Sequence, residues 1–81
     1  MILKRQLYHT REVDYFGMQI IIPKSTRYLT TDSDGAVIAW HDKPYYNGSG
    51  VWFPSDPYDV RTTVAKVLLD GTHPKNTLAK V

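Results

Sequence analysis

The chain has no cysteine and a single glutamate, Glu12. The first absence excludes disulfides and thiolate metal sites. The second leaves a glycosidase-like carboxylate pair to be built from aspartates. Long apolar runs are missing too: Ile20-Ile21-Ile22 and Val67-Leu68-Leu69 fall far short of the roughly 20 residues a membrane-spanning helix needs. The N-terminal stretch MILKRQLYHT lacks the apolar centre of a secretory signal. These absences predict a soluble, cytoplasmic protein with no membrane partner. No GxSxG, P-loop, dinucleotide or HExxH pattern occurs, and His9, His41 and His73 are too widely spaced to make a metal site by themselves. Neither enzymatic activity nor a cofactor or metal is expected.

A length of 81 residues predicts one domain over 1–81, with a small core, since a chain this short buries only about 60% of its unfolded surface. The formal charge of +2 is too small to imply a nucleic-acid partner unless the basic residues cluster.

Residues 2–9 read as a strand, although Leu3 and Leu7, four positions apart, would equally suit a turn of helix, and TREVDYFG (10–17) reads as an irregular connection closed by glycine. Met18 to Ile22 forms a strand that Pro23 ends. Arg27-Tyr28-Leu29-Thr30-Thr31 and Ala36-Val37-Ile38-Ala39-Trp40 flank Asp32-Ser33-Asp34-Gly35, the pattern of an antiparallel hairpin over 27–41. In that turn Asp32 can bond the backbone two residues on, and Gly35 can take the positive φ of a bulge. Tyr45-Tyr46-Asn47-Gly48-Ser49-Gly50 has the composition of a mobile loop, leading into a short strand Val51-Trp52-Phe53. From about 57 to 69 a helix is expected: Asp56 can cap it, Pro57 suits its first position, Asp59 suits its positive end and Gly71 can stop it. Val60, Val64, Val67 and Leu68 then make one apolar stripe, although VRTTVAKVLL is rich enough in β-branched residues to pass for a strand. Residues 72–81 read as a loose tail. The fold class expected is α+β: a small antiparallel sheet of three to four strands around the 27–41 hairpin, with one C-terminal helix.

Three constellations could carry chemistry. Aligned to a calcium loop, Asp32, Asp34 and Gly35 fit, but Thr30 and His41 occupy the first and twelfth positions, where carboxylates belong. The loop is therefore a turn. His41-Asp42 could be half of a general-base pair, but neighbours on a strand face opposite ways, and catalysis there needs a third polar group brought to His41. Tyr45, Tyr46, Trp52 and Phe53 offer large, rigid contact area of the kind that dominates protein interfaces, with Trp52 and Phe53 equally suited to the core. A competing partner class is nucleic acid. Lys4, Arg5 and Arg11 near the start, and Lys75 and Lys80 near the end, lie in acid-free segments, and nearby aromatics could stack on bases.

Ile22-Pro23-Lys24, the hairpin RYLTTDSDG with VIAW after it, Lys43-Pro44 and Trp52 together give the chain a further feature. They resemble mostly uncharacterised small accessory proteins of tailed bacteriophages, which share the outline VPKxxKYxATDxDGxVxAYxxKP with a tryptophan further on. The resemblance covers about residues 22–52. It implies a phage-encoded protein made in the infected bacterium and carries no activity over to any residue. The function expected is thus a non-enzymatic accessory protein that binds and modulates a host protein through Tyr45, Tyr46, Trp52 and Phe53. The alternative is a small nucleic-acid binder using Lys4, Arg5, Arg11, Lys75 and Lys80.

Overall fold

A computed structural model describes residues 1–2 and 9–81. Among the described residues eight strands follow one another: β1 Thr10–Tyr15, β2 Met18–Pro23, β3 Tyr28–Thr31, β4 Ala36–Trp40, β5 Tyr45–Tyr46, β6 Trp52–Phe53, β7 Thr62–Lys66 and β8 Ala79–Lys80. The expected strand at 2–9 lies mostly outside the described residues. Among the described residues the only helical segment is a single 3-10 turn, Pro74–Asn76. The fold is all-β, and the expected α+β class is wrong.

The error is the helix at 57–69, and its cause is visible. Asp56 does cap, accepting from the Tyr58 backbone N–H at 2.9 Å. The turn ends there, with the Asp59 N–H bonded to the Asp56 carbonyl. Thr62, Thr63, Ala65 and Lys66 then pair antiparallel with the free edge of β4, Val64 being passed over at a bulge, and β-branched side chains fit this pleated surface better than a helix. Pairing along that edge, even with its bulge, outweighs two good caps.

The segment TREVDYFG is likewise not irregular. Its first six residues are β1, whose burial alternates along the strand until Tyr15 is enclosed. Phe16 and Gly17 form a two-residue turn with φ of 49° and 83°, the type I′ geometry that matches strand twist. It joins β1 to β2 in full register, Val13 opposite Ile20.

The 27–41 hairpin forms as the turn residues indicate, Tyr28 pairing with Trp40 and Thr31 with Val37. It is the centre of a four-stranded antiparallel sheet ordered β7-β4-β3-β8. All five residues of β4 are buried, because both faces of the sheet are covered there. One face, with Leu29, Val37 and Ala39, receives Tyr15, Ile20 and Ile22 from the β1–β2 hairpin. The other, with Ala36, Ile38 and Trp40, receives Trp52, with Tyr28, Tyr46 and Leu78 at its margin. Residues 72–81 are not a loose tail: β8 adds to β3, and Thr77 is buried, taking the Thr31 N–H on its hydroxyl at 2.8 Å.

Candidate functional site

Two surfaces bring chemistry-bearing residues together. The first is the small hairpin β5–β6, where Tyr45 lies opposite Phe53 and Tyr46 opposite Trp52. Alternation divides the four predicted contact residues between two faces. Tyr46 and Trp52 turn inward, their rings 5.3 Å apart, and Trp52 is almost wholly buried. Tyr45 stacks on Phe53 with centroids 5.9 Å apart and planes at 25°; Tyr45 is 52% exposed and Phe53 half-buried. The inward pair is the root of the hairpin and the outward pair its accessible surface.

The root is firmly held. The Trp52 indole N–H donates to the Pro74 carbonyl at 3.1 Å, and its backbone N–H donates to the Asp32 carboxylate at 2.9 Å. The connecting loop, expected to be mobile, is pinned as well. The Ser49 N–H donates to the Asn47 side chain, and the Gly50 carbonyl accepts from the Ser33 N–H at 2.7 Å. At the mouth the Ser55 hydroxyl donates to the Lys43 carbonyl.

The second surface is an open groove of about 800 Å³ between the β2–β3 connection and the end of β4, lined by Arg11, Lys24, Ser25, Arg27, His41 and Asp42 among others. Arg11 is partly committed, donating to the carbonyls of Lys24 and Thr26. His41 is the centre of the groove's polar network. Its Nδ1 lies 3.2 Å from the Asp59 carboxylate, and its Nε2 lies 3.0 Å from the Ser25 hydroxyl. Asp59 is buried and also accepts the backbone N–H groups of His41 and Asp42 at 3.1 and 3.0 Å. Burial pushes the Asp59 carboxyl up, but the N–H donors of Asp42 and His41 and the His41 ring outweigh it and hold the carboxyl below its ordinary value. The carboxylate partner of His41 is thus Asp59, while Asp42 follows it along the chain and shares the same acceptor.

Of the basic residues singled out by sequence, Lys4 and Arg5 lie outside the described residues, Arg11 lines the groove, and Lys75 and Lys80 do not. Lys75 sits on the 3-10 turn and Lys80 in β8, opposite Tyr28. The cations beside Arg11 are Lys24 and Arg27, which sequence reasoning passed over. Ser25 and Asp59 were also missed as site residues, since neither belongs to a local motif with His41. Among the described residues no group of three or more histidines and carboxylates could hold a metal ion.

No family model, curated protein or solved structure matches the chain. The functional reading therefore rests on these two surfaces. Among the described residues no helix is long and apolar enough to cross a membrane.

Proposed function

We propose that the protein is a phage-encoded accessory factor, acting in the cytoplasm of the infected bacterium, that binds and modulates a host protein through the outer face of the β5–β6 hairpin. The observation that carries this reading is the stacked, accessible Tyr45–Phe53 pair on a hairpin whose inner face is locked into the core. A rigid aromatic pair loses little conformational entropy on contact and supplies the large buried area typical of interface anchors. The phage source and host location rest on the sequence resemblance at residues 22–52.

The test is affinity capture from host lysate with wild type and with Tyr45→Ala/Phe53→Ala, at two salt concentrations. Both replaced side chains point away from the core, so the variant keeps its fold, which circular dichroism checks. Trp52 is unsuitable for this purpose, since emptying a buried tryptophan site costs about 3–5 kcal/mol. A specific partner retained at moderate salt by wild type and lost by the variant is the expected result. Capture of the same partners by both proteins overturns the proposed surface. Recovery that vanishes with modest salt, together with a shifted nucleic-acid band, favours the phosphate-binding alternative.

A further inference from the structure

We propose that Ser25, His41 and Asp59 form a serine-nucleophile centre that hydrolyses esters carrying negative charge. Nucleophile, base and orienting carboxylate stand in one line: Ser25 Oγ lies 3.0 Å from His41 Nε2, and His41 Nδ1 lies 3.2 Å from Asp59 Oδ1. This is the arrangement by which a weak alcohol nucleophile is activated on unrelated folds, recognised by geometry and role and not by sequence position.

The tautomer follows from the partners. Asp59 is an ionised acceptor, so the neutral imidazole carries its hydrogen on Nδ1, and Nε2 is left to accept the Ser25 hydroxyl proton. Asp59 is itself fixed by the two backbone N–H groups of His41 and Asp42. Those bonds alone would explain Asp59 as a brace for the end of β4. They do not explain Ser25. Its side chain is exposed in the β2–β3 connection, and its hydroxyl has the imidazole as its partner.

The chemistry closes with water as the only co-reactant. Ser25 Oγ adds to the ester carbonyl carbon while its proton passes to His41 Nε2. The tetrahedral adduct then expels the alkoxide, which takes the proton from His41 and leaves as the alcohol. Water adds to the acylated Ser25 by the same proton path, releasing the carboxylic acid and restoring the hydroxyl. Substrate class follows from the rim. Lys24 and Arg27 line the same groove and form no ion pair with any described residue, so they attract an anionic substituent and the developing oxyanion. Asp42, also on the rim, sets where that substituent can sit.

The proposal goes beyond host-protein binding and involves none of the aromatic hairpin residues, so its failure leaves that reading intact. The full-length chain is treated with a fluorophosphonate probe and mapped by mass spectrometry. It is also assayed with 4-nitrophenyl hemisuccinate and 4-nitrophenyl acetate. The expected result is one adduct per chain, on Ser25, and hydrolysis at least about tenfold faster than that of Ser25→Ala. The control matters because an imidazole alone can cleave activated esters. The hemisuccinate is preferred over the acetate, and Arg27→Ala removes the preference. Asp59 is a positioning residue, so Asp59→Asn lowers kcat with KM little changed. Should Asp59→Asn fail to fold, His41→Gln, altered at an exposed side chain, tests the base instead: it should abolish the fluorophosphonate adduct on Ser25, a readout that ester cleavage by a lone imidazole would not move. The absence of an adduct on Ser25, or hydrolysis by Ser25→Ala at the wild-type rate, overturns the proposal.

Discussion

Arg61 and Asp32 form an ion pair that fastens the chain just before β7 to the turn between β3 and β4. The Asp32 side chain is 6% exposed and the Arg61 side chain 37%. The same guanidinium donates to the Trp52 carbonyl at 3.1 Å, while the carboxylate accepts the Trp52 N–H. Three separate segments thus meet around one tryptophan backbone. Asp32 was expected to bond its own turn. Asp34 does so instead, accepting the Ala36 N–H at 3.0 Å, which frees the Asp32 side chain for this longer reach.

The pair predicts an asymmetry. Arg61→Ala strands a buried carboxylate and should cost about 2–3 kcal/mol, below the full penalty for a buried pair because the arginine is partly solvated. Asp32→Asn keeps an acceptor for the Trp52 N–H and should cost about 1 kcal/mol. In a double-mutant cycle followed by urea unfolding the combined loss should be smaller than the sum. Additive losses would show that the two side chains act independently.

Gly35→Ala should be among the most damaging small changes in the chain. Gly35 has φ of 86°, and an added Cβ would stand 2.2 Å from the Val67 carbonyl oxygen. That backbone cannot swing aside, because the Val67 N–H is bonded to the Gly35 carbonyl at 2.8 Å. A loss above about 2 kcal/mol is expected from strain and overlap together. Gly48→Ala is the control: φ is again 86°, but nothing lies within 4 Å of the new Cβ, so only about 1 kcal/mol should be lost.

Tyr15 sets the alkaline limit. Its buried hydroxyl donates to the Thr77 carbonyl at 2.7 Å and lies 2.8 Å from the Thr31 hydroxyl. Burial raises its pKa, and the hydrogen bonds with Thr31 and Thr77 only partly oppose this. The folded state therefore favours the neutral phenol. Its contribution is complete below the unfolded value near 10 and is lost as pH rises from there through the folded pKa. Tyr15→Phe should lower stability at neutral pH by about 1–2 kcal/mol. It should also make the decline above about pH 10 shallower in equilibrium unfolding.

Asp59 acts at the other end of the scale. Its carboxyl titrates below the ordinary value because the donors from Asp42 and His41 outweigh burial. The stabilisation is therefore present above the unfolded value of about 3.9 and is lost as pH falls through the folded pKa. Asp59→Asn should destabilise by about 1–3 kcal/mol near neutrality. The gap to wild type should narrow below about pH 4. A gap independent of pH would mean that the carboxylate charge plays no part in holding the end of β4.

The central hairpin was legible because its information is local: two β-rich runs, aspartates and a glycine that accepts positive φ. The 57–69 segment misled for a related reason. Its boundary signals are genuine, since Asp56 caps Tyr58 and Gly71 takes φ of 86°, but what lies between them is decided by β4, some 25 positions earlier. The aromatic set was legible as a group, and strand alternation then divided it. The Ser25–His41–Asp59 line was illegible, because its members lie 16 and 18 positions from the histidine and only the fold brings them together. The need for a further polar group at His41 could be stated from sequence; that Ser25 and Asp59 both come to it could not.

The two outer strands of the main sheet differ in kind. On one side β8 covers the start of β3, and just beyond it the Thr77 hydroxyl takes the Thr31 N–H, so that side offers another strand only the two-residue outer edge of β8. On the other side β7, among the described residues, has a sheet neighbour only in β4. Both outer strands thus have one sheet neighbour among the described residues, but β7 spans five residues and β8 two, and a short edge strand is a poor template for further pairing. Any strand recruited from outside finds its longer template on β7, and the brevity of the last strand leaves the opposite side of the sheet a weak place to extend it.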